Sequence, residues 1–193
     1  AGGAIEAFLD ERRAGEAAAV RAIVQALGAA QGRARPPVLA LGNSLPIRTV
    51  DLVCDGAVAP QCAVLSQRGA NGIDGLIAGA AGVARGGWPT LLLLGDVSAL
   101  HDVGGLQAAQ GLEAPLAVVI LDNGGGRIFD TLPVASRPDL ALAMRHFHTP
   151  HGARFEHAAA LFGHRFATPA TIDDLRGAVE EGLGTPGCTV IAV

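Results

Sequence analysis

Two nearly unbroken apolar runs, Thr90 to Leu94 and Leu116 to Leu121, constrain this chain more than any other feature. A strand with one wet face alternates apolar and polar residues, so a run without alternation needs cover on both faces. Helices that cross over between parallel strands provide such cover. The intervening residues Ser98 to Gln110 read as one helix, long enough for a right-handed crossover. The expectation is an α/β fold: a three-layer sandwich with a mostly parallel, about six-stranded sheet.

The alternation extends in both directions. Val38 to Leu41 and Ala63 to Leu65 read as strands, Leu45 to Val53 and Ile73 to Arg85 as helices. Ala153 to Phe162 and Ile172 to Leu183 read as helices flanking a short strand near His164 to Ala167, and Cys188 to Val193 closes as a strand. Ala135 to Gly152, with two Pro, three His and two Arg, reads as a loop or mobile lid. Upstream, Ala4 to Arg13 and Glu16 to Leu27 have helical spacing, and Gly28 to Pro37 reads as a stop and loop. Residues 1–35 are therefore expected to be a helical linker remnant and 36–193 a single domain.

Composition removes several function classes. All 14 basic residues are Arg, which excludes a Schiff-base lysine and the Lys-containing phosphate loop. A net charge of −4 argues against nucleic acid. Mean hydropathy is high at +0.38, yet every apolar stretch is broken before the ~18 residues of a membrane span. The excess reads as surface buried in an oligomer or against a further domain. Cys54, Cys62 and Cys188 lack the short spacings of zinc or redox pairs and read as buried or surface thiols in a reducing cytoplasm. No targeting segment is visible, and a chain beginning with Ala reads as a fragment or processed product.

The candidate chemistry lies at the ends of the two apolar runs. Gly95-Asp96 follows the first and Asp122-Asn123 the second, with 26 residues between Asp96 and Asn123. Neighbouring parallel strands would bring both tips to one edge of the sheet, where open α/β sheets bind ligands. Strands lie about 4.8 Å apart, and two oxygens sharing one Mg²⁺ at about 2.1 Å each need a comparable separation. Ser98 stands where a helix cap would favour an anion, and Gly124, Gly125 and Gly126 allow close backbone approach, with a carbonyl of one of these glycines a third candidate ligand.

With these residues in view, Gly95-Asp96 and Asp122-Asn123 resemble the cofactor motif of the thiamine diphosphate-dependent decarboxylases and synthases. Gly42-Asn43-Ser44-Leu45-Pro46-Ile47-Arg48, Ser66 to Gly75, Gly95 to Asp102, Gly125 to Phe129 and Phe155 to Ala159 together resemble the MenD family, the 2-succinyl-5-enolpyruvyl-6-hydroxy-3-cyclohexene-1-carboxylate synthases of menaquinone biosynthesis. The resemblance runs from about Val38 onward. It implies that 36–193 is a thiamine diphosphate-binding domain in which Asp96, Asn123 and the Gly125 carbonyl hold Mg²⁺ (or Mn²⁺). Gly95, Ser98 and Ala99 would lie near the diphosphate, Ile73 would bend the cofactor, and Ile128, Phe129 and Leu132 would line its pocket. Arg48 and Arg68 would meet substrate carboxylates, a role that suits planar guanidinium groups.

The implied reaction decarboxylates 2-oxoglutarate and adds the resulting carbanion to isochorismate. Family members supply an activating Glu from the N-terminal pyrimidine-binding domain of a partner subunit. This chain is too short to contain that domain, so the fragment is expected to be inactive alone and to function in a homodimer or homotetramer. Val97 and Asp122 depart from the wider superfamily, which often has Gly and Asn there. A non-catalytic phosphate-binding scaffold and a different thiamine enzyme, such as a pyruvate-using synthase, remain alternatives. His146, His148 and His151 read as surface or lid residues, and His101 and Asp102 as packing or solvent contacts.

Overall fold

The computed structural model describes residues 15–30, 35–54, 62–67, 69 and 72–193; the expected helix Ala4 to Arg13 lies outside them. Six strands form one sheet: β1 (Val38–Leu41), β2 (Ala63–Ser66), β3 (Thr90–Gly95), β4 (Pro115–Leu121), β5 (Arg165–Ala167) and β6 (Gly187–Ala192). Their order is β2-β1-β3-β4-β6-β5, and every pairing is parallel.

The apolar runs became the centre of the sheet for the expected reason. Leu91 and Leu93 point into one cluster, with α1 (Glu16–Ala29), α2 (Leu45–Val53) and α7 (Ile172–Gly184) over it. Leu92 and Leu94 point into the other, beneath α3 (Leu76–Arg85), α6 (Phe155–Leu161) and the 3₁₀ segment Val103–Ala109. The remaining helices are α4 (Asp96–His101) and α5 (Ala141–His148). Helices thus cover both faces, giving three layers. Ala19, Val20, Ile23, Val24 and Leu27 of α1 are buried in the first cluster, so this helix shares the core of the sheet.

Three local expectations need correction. The helix read from Ile73 begins at Leu76, because Gly75 takes a left-handed conformation at its N-cap (φ 73°). Ser98 to Gln110 is not one helix: α4 ends at His101, and the chain continues as a 3₁₀ turn. The segment 135–152 is not all loop, since it contains α5, where Met144 is the one buried residue.

The chain leaves β1 in one direction to build β2 and returns to place β3 on β1's other side. α2 and α3 accordingly lie on opposite faces of the sheet. The crevice between the carboxyl ends of β1 and β3 is the place where such sheets bind ligands.

Candidate functional site

A cavity of about 60 Å³ occupies that crevice, lined by Asn43 and Ser44 after β1, Gly95, Asp96 and Ser98 after β3, and Asn123, Gly125 and Ile128 after β4. Glu16 reaches it from α1. The pairing of Gly95 with Leu121 sets Asp96 level with Asp122, and Asn123 one residue farther along the edge. Both tips therefore face the same edge, as the spacing predicts.

Asp96 is buried, and its carboxylate is held from two sides. Oδ1 accepts the Val97 N–H at 2.7 Å and Oδ2 accepts the Gly125 N–H at 2.7 Å. Asn123 donates from Nδ2 to Glu16 Oε2 at 2.9 Å, while its Oδ1 is buried without a hydrogen-bond partner. Asn43 behaves alike, donating to the Gly72 carbonyl at 2.9 Å and leaving a buried Oδ1 unpartnered. An orphaned buried carbonyl oxygen costs free energy unless something polar meets it. A carboxylate and an amide oxygen at adjoining strand tips make the hard donor set that Mg²⁺ takes. The Gly125 carbonyl accepts the Arg127 N–H at 2.9 Å and keeps a second lone pair for a cation. These residues fit a bound divalent ion.

Electrostatics favour an ion there as well. Burial pushes the Asp122 carboxyl above the ordinary carboxylate range; the Gly124 N–H pulls it back, and the neighbouring Asp96 charge raises it further. His151 approaches from the segment after α5, with Nε2 3.1 Å from Asp96 Oδ2. Its Nδ1 accepts the Ala153 N–H at 3.0 Å, which places the ring proton on Nε2. The Nε2–H is not aligned on the carboxylate as a hydrogen bond, so the contact is an electrostatic approach. Asp96, Asp122 and His151 bring ligand atoms within 4.8 Å of one another. A metal at His151 Nε2 would need the opposite tautomer and would set Nδ1–H against the Ala153 N–H.

The other candidates distribute unevenly. Ser98 is buried and lines the cavity, but it is the third residue of α4 rather than its cap; Gly95 holds the cap position, and no side chain caps this helix. Ala99 is buried in the cluster under α3, so only its backbone can face a ligand. Ile73 is half-buried in the loop before α3. Ile128 lines the cavity, Phe129 packs on Phe147 with ring centroids 5.2 Å apart, and Leu132 is exposed. Arg48 is exposed outside the cavity, its Nη1 donating to the Ser44 carbonyl at 2.7 Å. Arg68 lies outside the described residues.

Sequence reasoning missed Glu16, favoured a surface or lid role for His151 over a metal-binding one, and gave Asn43 and Ser44 no role of their own. Ser44 has φ 74° and ψ −131°, a strained conformation of the kind that gathers at functional sites. The histidines do not converge on one ion, since His146 is exposed and His148 Nε2 faces Asp130 Oδ1 at 2.7 Å. Asp102 does more than pack or meet solvent. Its Oδ2 accepts the Ile77 and Ala78 N–H groups at 2.6 and 3.1 Å and so caps α3 from the end of α4.

Residues 59–193 match the family described as thiamine pyrophosphate enzyme, C-terminal TPP binding domain. The chain belongs to this family. Among curated relatives of this domain, the 2-succinyl-5-enolpyruvyl-6-hydroxy-3-cyclohexene-1-carboxylate synthase of Shewanella amazonensis is 41% identical over 187 residues, covering 96% of this chain and 31% of its own length. The synthase of the same name from Sorangium cellulosum is 43% identical over 159 residues, covering 80% of this chain and 26% of its own. The chain thus spans less than a third of the length of these relatives. An enzyme from Mycobacterium smegmatis described as thiamin diphosphate-dependent shares the fold, with TM-score 0.60 and 20% identity over 90% of this chain and 31% of its own. Among the described residues, no helix is long and apolar enough to cross a membrane.

Proposed function

We propose that the chain is the cofactor-binding part of a thiamine diphosphate-dependent carboligase that decarboxylates 2-oxoglutarate and adds the product to isochorismate. The observation that carries the cofactor reading is the buried, unpartnered Asn123 Oδ1 beside the Asp96 carboxylate at adjoining strand tips. The likeness of almost the whole chain to synthases bearing that name supports the choice of substrates.

In this reading Asp96, Asn123 and the Gly125 carbonyl hold Mg²⁺ or Mn²⁺, which in turn holds the diphosphate. Gly95, Ser98 and Ala99 present backbone and hydroxyl groups to it. Ile73, Ile128, Phe129 and Leu132 supply apolar surface, while Arg48 and Arg68 orient substrate carboxylates. When bound, thiamine diphosphate supplies the carbon nucleophile and the electron sink for decarboxylation and carbon–carbon bond formation. The cavity at Asp96 holds only about 60 Å³, far below the ~300 Å³ of a typical small-molecule site. The larger cavity of about 910 Å³ beside Asp122 and Asn123 opens toward α1 and α7 instead, so the Asp96 side is proposed to be closed by a second wall. The N-terminal pyrimidine-binding domain of a partner subunit, in a homodimer or homotetramer, is the proposed wall.

The test is product formation from 2-oxoglutarate and isochorismate by the full-length protein, with and without thiamine diphosphate and Mg²⁺. Arg48→Ala is expected to weaken use of the dicarboxylate several-fold and leave cofactor affinity nearly unchanged. Equal loss of both refutes the role of Arg48. Turnover of pyruvate in place of 2-oxoglutarate assigns a different thiamine enzyme, and absence of any response to cofactor assigns the scaffold.

A further inference from the structure

Asn123 presents an ambiguity that its own side chain cannot resolve. The two ends of a primary amide have nearly the same shape, yet one accepts and the other donates. A divalent cation is served only if the oxygen faces it.

Glu16 removes the ambiguity. It is the first residue of α1, 107 positions away in sequence, and its Oε2 accepts the Asn123 Nδ2–H at 2.9 Å. An ionised carboxylate only accepts, so it can hold only the NH₂ end of the amide. Turning the amide over would oppose two acceptors and aim the NH₂ group at the cation position. The unpartnered Asn123 Oδ1 on the far side is the product of this arrangement. The Glu16 carboxylate is itself favoured where it stands, in the first turn of a helix.

We propose that Glu16 is a positioning residue of the cation site, holding the Asn123 amide so that its oxygen faces the metal. This rests on the cofactor reading above and extends it: the helix at the linker side of the domain becomes part of the metal-binding apparatus. A shift of α1 would then alter the cation site through one hydrogen bond.

The experiment measures the Mg²⁺ concentration that gives half of the thermal stabilisation by saturating thiamine diphosphate in the full-length protein. Glu16→Ala is expected to raise it about tenfold or more, as loss of a group that orients a ligand does. The melting temperature without metal and cofactor should stay near that of the parent. Glu16→Gln keeps an acceptor oxygen and should raise the value only about threefold, the weaker neutral hydrogen bond accounting for the rise. In an Asn123→Asp background, a carboxylate needs no orienting and faces a like charge, so Glu16→Ala should lower the Mg²⁺ requirement there. That reversal is the expected result even if Glu16→Ala alone also destabilises the apo-protein. A half-saturating Mg²⁺ within about twofold of the parent in Glu16→Ala, or an unchanged sign in the Asn123→Asp background, overturns the proposal. A parent protein whose stabilisation ignores Mg²⁺ overturns the cofactor reading itself.

Discussion

Replacing Gly125 by Ala tests the packing that holds the loop after β4 in place. Gly125 has φ +133°, and a Cβ built there would stand 2.0 Å from the backbone carbonyl oxygen of His148. That oxygen is fixed, since it accepts the Gly126 N–H at 2.7 Å. The obstruction is main chain, so no side-chain rotation relieves it, and the loop or the end of α5 must move by more than an ångström. The backbone conformation costs about 1–3 kcal/mol for a residue with a side chain. Overpacking adds about 1–3 kcal/mol. The sum, about 2–6 kcal/mol, can be measured against an internal control. Gly124 next to it has φ +79° and open space around its Cβ position, so Gly124→Ala should cost only the left-handed conformation, about 1–2 kcal/mol. Urea unfolding of both variants gives the comparison, and each kcal/mol should appear as about 2–4 °C in melting temperature for a chain of this size. Should the 147–151 segment lift away instead, its amide hydrogen exchange will accelerate in Gly125→Ala alone. Equal stability of the two variants, with no change in exchange there, refutes the reasoning.

Asp102→Ala removes the acceptor for two N–H groups at the start of α3 and should destabilise by about 1–2 kcal/mol. Asp102→Asn, which keeps an acceptor oxygen, should lose less; equal losses in denaturant titrations would show that the contact is not a cap. Burial pushes the Cys188 thiol up to about 12 from 9.0, although the Arg165 charge opposes the shift. The folded state therefore keeps this proton above pH 9 where the unfolded chain releases it, and stability should fall by up to about 1.4 kcal/mol per pH unit between pH 9 and the folded value. Cys188→Ala should flatten that alkaline slope in unfolding midpoints taken from pH 8 to 10.5, and an unchanged slope would assign the loss to other groups.

What could be read from the sequence divides by the range of the interaction. The strands Thr90–Gly95 and Pro115–Leu121 were legible because burial on both faces leaves a mark in consecutive residues. Asp96 and Asn123 were legible for the same reason, each standing just past such a strand. Ser98 misled because a serine near a strand end resembles a helix cap, whereas the chain turns helical at Asp96 with Gly95 before it. α5 was hidden because it is only eight residues long, stands between Pro138 and Pro150 and buries only Met144. Glu16 and His151 could not be assigned, since their value lies in contacts with Asn123 and Asp96 that no local pattern encodes. The orientation of Arg48 toward its own helix was equally invisible, because an exposed guanidinium takes whichever carbonyl is near.

The central claim is that one divalent cation, gripped by Asp96 and Asn123, fastens a diphosphate to this edge of the sheet. Calorimetric titration of thiamine diphosphate into the full-length protein, in Mg²⁺ and again in excess EDTA, tests it most directly. The expected result is binding in Mg²⁺ that disappears in EDTA and is absent from Asp96→Ala under both conditions. Undiminished binding in EDTA, or an Asp96→Ala protein that binds as tightly as the parent, would contradict it.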